Sequence, residues 1–204
     1  KKEVVIYNGI NSKKFILVKK HRKNLRKKFH ISEEEIVLIC AARVDPMKNY
    51  NNFLKAYKNL ESIHRKKSKL ILIGKETDKL DVPKNCIALG MKKNIEFYYS
   101  VADIIIVPSA FGEGFSNVLA EGMLTKLLPV ATDVGDAKKI IGKTGFIIKG
   151  HNVKSLESNL LKIMSLKKNV IRSMGKKARF RANKLFTVGN MVKAYDTIYN
   201  RVKK

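Results

Sequence analysis

The sequence is poor in the residues that would staple or coordinate a fold, with two cysteines and four histidines in 204 residues. Cys40 in V-L-I-C-A-A and Cys86 in N-C-I-A-L lie in apolar, strand-like runs without metal-ligand spacing. That excludes a disulfide framework and a thiolate metal site, and both read as core residues in a reducing compartment. His21, His30, His64 and His151 share no motif and are expected at the surface. No apolar run approaches the roughly 18 residues a membrane-spanning helix requires. The opening Lys-Lys-Glu-Val-Val has no signal-peptide pattern, and a chain opening on Lys is expected to be a fragment or a processed form. There is no D-x-D pair to hold a divalent cation, no G-x-G-x-x-G fingerprint, no internal repeat and no Pro/Gly/Ser linker. Gly142-Lys143-Thr144 looks like the end of a Walker A loop, but Ala137 stands where the first glycine would be, so a P-loop is excluded.

Acidic residues are scarce as well: 17 Asp and Glu stand against 43 Lys and Arg, a formal net charge of +26. Such a surplus attracts polyanions. The densest basic run is Lys19, Lys20, Arg22, Lys23, Arg26, Lys27 and Lys28, and no recognition helix, zinc finger or aromatic RNP pattern accompanies it. A Lys-favouring coding bias, giving solvated faces, accounts for much of it. Beyond that the expected partner is an anionic membrane surface, with no specific nucleic acid.

What is present is an alternation. Apolar runs at 36–43, 70–74, 86–90, 103–109 and 128–133 are separated by helical patterns at 50–66, 92–101 and 117–127, and the chain after Gly145 is mostly helical. This order predicts an α/β fold with a doubly wound, Rossmann-like parallel sheet. Residues 1–18, with V-V-I-Y-N-G-I, read as an opening strand and linker, and one domain is expected. In such a sheet the strand C-termini share one edge, which brings Arg43, Gly74, Gly90, Ser109 and Asp133 to where these folds bind ligands.

The segment E-G-F-S-N-V-L-A-E, from Glu113 to Glu121, carries the most chemistry. Ser116 or Asn117 is a natural N-cap, and Val118, Leu119, Met123, Leu124, Leu127 and Leu128 leave the helix little polar face. Glu121 on that buried helix has no cation one turn before it and requires a partner. A ribose diol would supply two donors, while the free N–H groups at the helix start suit the phosphates of the same nucleotide. The alternative is an ion pair with a distant Arg. Arg43 and Lys48, at the two ends of a Pro-shaped loop, suit a diphosphate leaving group; the alternative for Arg43 is a surface pair with Asp45. Asp133 and Asp136 flank a Val-Gly pair and are expected to cap the following helix rather than touch substrate.

Taken together, V-I-Y-N-G-I, A-A-R-V-D-P-M-K-N, L-I-L-I-G, I-A-L-G, Y-Y-S-V-A-D-I-I-I-V-P-S, E-G-F-S-N-V-L-A-E-G-M, P-V-A-T-D-V-G-D and T-G-F-I-I resemble, in order, the motifs of the retaining glycosyltransferases of family 4, also called group 1. The resemblance implies the C-terminal half of a GT-B fold, with residues 19–186 as the nucleotide-sugar donor domain. Residues 187–204 become a helix crossing back to an N-terminal acceptor domain that this chain lacks. It implies that Arg43 and Lys48 bind the donor diphosphate, Glu113 holds the donor sugar and Glu121 takes the ribose hydroxyls. Ser109 and the backbone of Gly114, Phe115, Ser116, Asn117, Val118 and Leu119 would line sugar and phosphate, and the base would lie beside Gly90 and Met91. Transfer would retain anomeric configuration, need no metal or other cofactor, and serve cell-surface polysaccharide or lipopolysaccharide synthesis in the cytoplasm or peripherally at the membrane. This piece alone is expected to bind donor without efficient transfer. A basic nucleotide- or nucleic-acid-binding module without transferase activity is the competing expectation.

Overall fold

The computed structural model describes residues 4–63 and 68–202, the side chains of 61–63 excepted. The last residues of the expected 50–66 and 187–204 helices, and His64, lie outside the described residues. Six strands form one sheet: β1 (Ile36–Ala41), β2 (Ser68–Ile73), β3 (Cys86–Ala88), β4 (Ile104–Val107), β5 (Leu128–Thr132) and β6 (Phe146–Ile148). All neighbours pair in parallel, in the order β3-β2-β1-β4-β5-β6. The helices are α1 (Lys19–Lys28), α2 (Tyr50–Ile63), α3 (Ile95–Tyr99), α4 (Asn117–Leu124), α5 (Ala137–Ile141), α6 (Val153–Met164), α7 (Lys168–Leu185) and α8 (Val188–Val202).

A two-residue period splits the strands between two cores. Leu38, Cys40, Leu70, Leu72, Ile104 and Ile106 face α2 and α6. Val37, Ile39, Ile71, Ile73 and Ile105 face α4, α5 and part of α7. Both faces of the central strands are therefore dry, which is why their sequences read as continuous apolar runs. Each such Ile or Leu contributes about 1.5–3 kcal/mol by leaving water. At Gly122, α4 rests directly on β4: a Cβ there would sit 2.6 Å from Ile105 Cγ2.

Several local expectations are corrected. Among the described residues the opening segment pairs through a single bridge, Ile10 to Thr187, and forms no strand. The expected 92–101 helix is confined to Ile95–Tyr99, starting after Asn94. After Gly145 a sixth strand forms, too short at three residues to display alternation and held by pairing with β5. The basic α1 is not all solvated face. Arg22 and Arg26 both reach Asp103, at 2.8 and 2.9 Å, and Asp103 also accepts from the Val37 amide at 3.0 Å. The Arg26 side chain is 2% exposed, and burial lowers its pKa against the opposing pull of Asp103. His21 packs edge-on against Phe97 with ring centroids 4.4 Å apart and is only half-buried surface.

The strand order reverses between β1 and β4. Successive strands run outward to β3 on one side and to β6 on the other, so the C-terminal ends of β1 and β4 open a crevice where doubly wound sheets bind ligands.

Candidate functional site

A cleft of about 150 Å³ occupies that crevice. Its walls are the end of β1 (Cys40 to Ala42), the end of β4 (Ile106 to Ser109), and the segment from Phe115 to Val118 leading into α4, with Lys48 and Glu113 at its side.

The loop after β1 is built to aim Lys48. Asp45 accepts the Met47 amide at 2.9 Å and starts a short 3-10 turn over Pro46–Lys48. The turn ends at Asn49 in the left-handed conformation, φ 59°. Asn49 is buried, and its amide donates to the carbonyls of Pro108 at 3.1 Å and His151 at 2.8 Å, fixing the loop to the end of β4. Lys48 Nζ then meets Glu113 Oε1 at 2.5 Å, with side chains 17% and 12% exposed. Ser109 Oγ donates to the same oxygen, also at 2.5 Å. Among the described residues Glu113 Oε2 accepts no hydrogen bond, and two of the three Lys48 ammonium hydrogens remain for an incoming anion.

Glu113 is held in turn by the backbone beneath it. Gly135 sits at φ +56°, and a Cβ there would lie 2.1 Å from the Glu113 carbonyl oxygen, so only glycine lets the two loops approach. The following Asp133 and Asp136 do not cap α5. They pair with Lys138 at 2.6 Å and Lys139 at 3.0 Å, because the cations one turn along the helix compete for the carboxylates.

At the other wall, Ser116 takes the N-cap position of α4 but makes no side-chain cap bond, which leaves the first amides of that helix directed at the cleft. Phe115 packs against Tyr7 and Phe186, centroids 5.5 and 5.3 Å away, and Asn117 accepts from Asn8 at 3.1 Å.

The structure thus gathers Lys48, Ser109, Glu113, Phe115, Ser116, Asn117 and Val118 in one cleft. Gly114 borders it in sequence and has open space where a Cβ would be. Other residues singled out in the sequence stand elsewhere. Arg43 is exposed and bonds Asp45 through Nε and Nη2, at 3.1 and 2.9 Å. This is the surface pair rather than a second cation in the cleft. The Met47 amide, and then Arg43, hold the Asp45 carboxyl below its ordinary range. Gly90, at φ +67°, closes the turn after β3 by donating to Thr77 Oγ1 at 3.1 Å, and Met91 beside it is 72% exposed. Leu119 is fully buried in the core.

Glu121 lies one residue short of a turn beyond the last lining residue of α4, and its partner is neither an Arg nor a free space. Tyr99 Oη donates to Glu121 Oε2 at 2.8 Å. Burial raises the Glu121 pKa and the Tyr99 bond opposes the rise, while burial beside that carboxylate pushes the Tyr99 phenol well up. Tyr99 stands in Y-Y-S, where the sequence offers an ordinary apolar helix residue and no sign of this contact. Cys40 was also missed as a lining residue. Burial pushes its thiol up to about 12, so it stays protonated and packs the cleft floor. Among the described residues no group of three or more His, Cys, Asp or Glu is arranged to hold a metal ion.

A family model described as glycosyl transferases group 1 matches residues 21–181. Among curated proteins the chain is similar to the N-acetyl-alpha-D-glucosaminyl L-malate synthase of Bacillus anthracis, 23% identical over 205 residues that cover 95% of this chain and 52% of that protein. It is also similar to the lipopolysaccharide 1,2-N-acetylglucosaminetransferase of Salmonella typhimurium, 29% identical over 143 residues, 60% of this chain and 37% of that protein. The chain spans about half the length, or less, of these relatives. Among solved structures it is similar to Anabaena HepE in complex with UDP and glucose, with a TM-score of 0.83 at 20% identity over 97% of this chain and 56% of that one. At that identity the likeness is one of fold.

Proposed function

Because this chain belongs to the group 1 glycosyltransferases, we propose that it is the donor-binding half of a GT-B enzyme that transfers a glycosyl group from a nucleoside diphosphate sugar. The acceptor is a glycan or lipid-linked glycan of the cell surface, as the lipopolysaccharide transferase among its relatives suggests. The observation that carries this reading is the Lys48–Glu113–Ser109 cluster at the strand-order reversal, facing the start of α4. A diphosphate seated there meets the helix amides on one side and the Lys48 ammonium on the other. Both stabilise the charge that grows on the leaving oxygen without calling on a metal. Glu113 Oε2 is left to accept from sugar hydroxyls. Glu121, oriented by Tyr99, keeps Oε1 for the ribose. Retention of configuration rests on the motif resemblance.

Two features support a second, acceptor-binding half. The cleft, at about 150 Å³, is well below the roughly 300–1,000 Å³ of a complete small-molecule site, which suits a site finished by a facing surface. In addition α8 has no buried residue, and Val188, Val192, Tyr195, Tyr199 and Val202 form an exposed apolar stripe along it. That stripe is the face on which the crossover helix meets the acceptor half.

The test is a thermal-shift panel of nucleoside diphosphates and their sugars on this chain, beginning with UDP, the ligand of the HepE structure. A ligand at 100 times its dissociation constant adds about 2.7 kcal/mol, or about 5–10 °C in Tm for a chain of this size. If no nucleoside diphosphate moves Tm while a polynucleotide does, the chain is a basic nucleic-acid-binding module instead.

A further inference from the structure

α7 carries seven Lys and Arg residues and no acidic one. Its inner face is Ile171, Gly175, Ala178 and Ala182, small enough that Gly175 lies against the Lys126 carbonyl. Three of its cations serve the fold: Lys168 donates to the carbonyls of Glu33 and, at 3.2 Å, Glu35, Arg179 donates to the Leu124 carbonyl, and Arg181 Nε donates to the Ile140 carbonyl at 2.9 Å. The side chains of Arg172, Lys176, Lys177 and Lys184 are exposed and form no hydrogen bond or ion pair with another described residue. In their midst, one turn after Lys176 and one before Lys184, Phe180 is 74% exposed.

Grooves flank this helix on both sides. One of about 710 Å³ separates α7 from Gly142–Thr144 and is lined by Lys143, Phe180 and Leu185, with Lys177 and Lys184. The other, about 330 Å³, lies toward α1 and has Leu17, Ala102 and Leu127, with the Asp103 carboxylate already paired to Arg22, within a rim of Lys19, Lys126 and Arg172. Lys176 borders both. Ala102 precedes β4 and Thr144 precedes β6, so the grooves open at the N-terminal edge of the sheet, opposite the cleft.

We propose that the outer face of α7 with its two grooves docks on a bilayer surface carrying anionic lipids. The cations sit among the headgroup phosphates, and Phe180 and Leu185 enter the headgroup–acyl boundary. An apolar floor under a cationic rim matches an anionic amphiphile. A polynucleotide would use the rim and leave Phe180, Leu185 and the groove floors uncovered. Each cation near such a surface contributes about five-fold in partition. Docked this way, the chain holds its donor cleft on the edge away from the lipid, open to solvent. The inference does not depend on the donor reading.

The experiment is vesicle flotation of this chain with phosphatidylcholine alone and with phosphatidylcholine mixed with phosphatidylglycerol, at low and high salt. Binding is expected only to the mixed vesicles, weakening as salt rises. The triple variant Lys176→Glu, Lys177→Glu, Lys184→Glu should lose about 100-fold or more in partition, and Phe180→Ser several-fold with a loss that persists at high salt. The matched triple Lys55→Glu, Lys58→Glu, Lys154→Glu places the same charge change on α2 and α6 and should retain binding. Thermal melts establish that each variant is folded. Equal weakening by the two triples would reduce the effect to net charge and overturn the proposal. Unchanged binding by the α7 triple would also overturn it, as would dimerisation through Phe180 without vesicle binding.

Discussion

Glu113→Gln offers a test in which two substitutions at one ion pair act in opposite directions. Glu113 stands 2.5 Å from Lys48 in a largely buried pair. A diphosphate oxygen that accepts from Lys48 therefore comes within about 5 Å of the carboxylate. At that separation two like charges repel by about 3 kcal/mol with an effective dielectric of about 20. Solvent at the cleft mouth reduces this to about 1–2 kcal/mol. Removing the carboxylate charge while keeping an acceptor for Ser109 should then tighten UDP binding about 5–30-fold. Lys48→Ala removes the attraction and leaves the carboxylate unopposed, so UDP should bind about 100-fold more weakly, near 3 kcal/mol. Titration calorimetry at two salt concentrations measures both, and the gap between the variants should narrow as salt rises. Equal weakening by both substitutions would refute the reasoning, because it would mean that Glu113 acts by positioning Lys48 and that its charge does not oppose the diphosphate.

Two further outcomes follow from groups that sequence inspection did not join. Asp103→Ala strips the partner from Arg22, Arg26 and the Val37 amide at once, which costs about 3–5 kcal/mol, a large share of the ~5–15 kcal/mol that holds a domain; a urea midpoint close to wild type would show that the cluster contributes little. Glu121 has a folded-state pKa raised by burial above the ordinary 4.5, so wild type gains stability as pH falls through the raised value toward the ordinary one. Glu121→Gln should accordingly be more stable than wild type at neutral pH, with the difference in Tm shrinking toward pH 4.5, whereas a pH-independent difference would remove burial of the charge as its cause.

The fold was legible because parallel strands buried on both faces must be apolar at every position, as in I-V-L-I-C-A. The gathering of Lys48, Glu113 and the Phe115 to Val118 segment in one cleft was legible because local turn geometry aims them. Relations carried by a single long-range contact were not. Tyr99 meets Glu121 across 22 residues and Arg26 meets Asp103 across 77, and neither separation has a local signature. Arg43 was misplaced for the opposite reason. Its nearest acceptor, Asp45, lies two residues away and pairs with it at the surface. β6 has only three residues and exists through its neighbour.

The bridge between Ile10 and Thr187 has a mechanical consequence. Ile10 donates to the Phe186 carbonyl at 2.8 Å and Val188 donates back to Ile10 at 3.2 Å, so the segment before α1 and the root of α8 form one joint. Tyr7 and Phe186 from that joint clasp Phe115, a wall of the cleft. A torque on α8 would therefore reach the cleft through two ring contacts instead of dissipating in a slack tether, so the orientation of α8 and the position of one cleft wall are coupled.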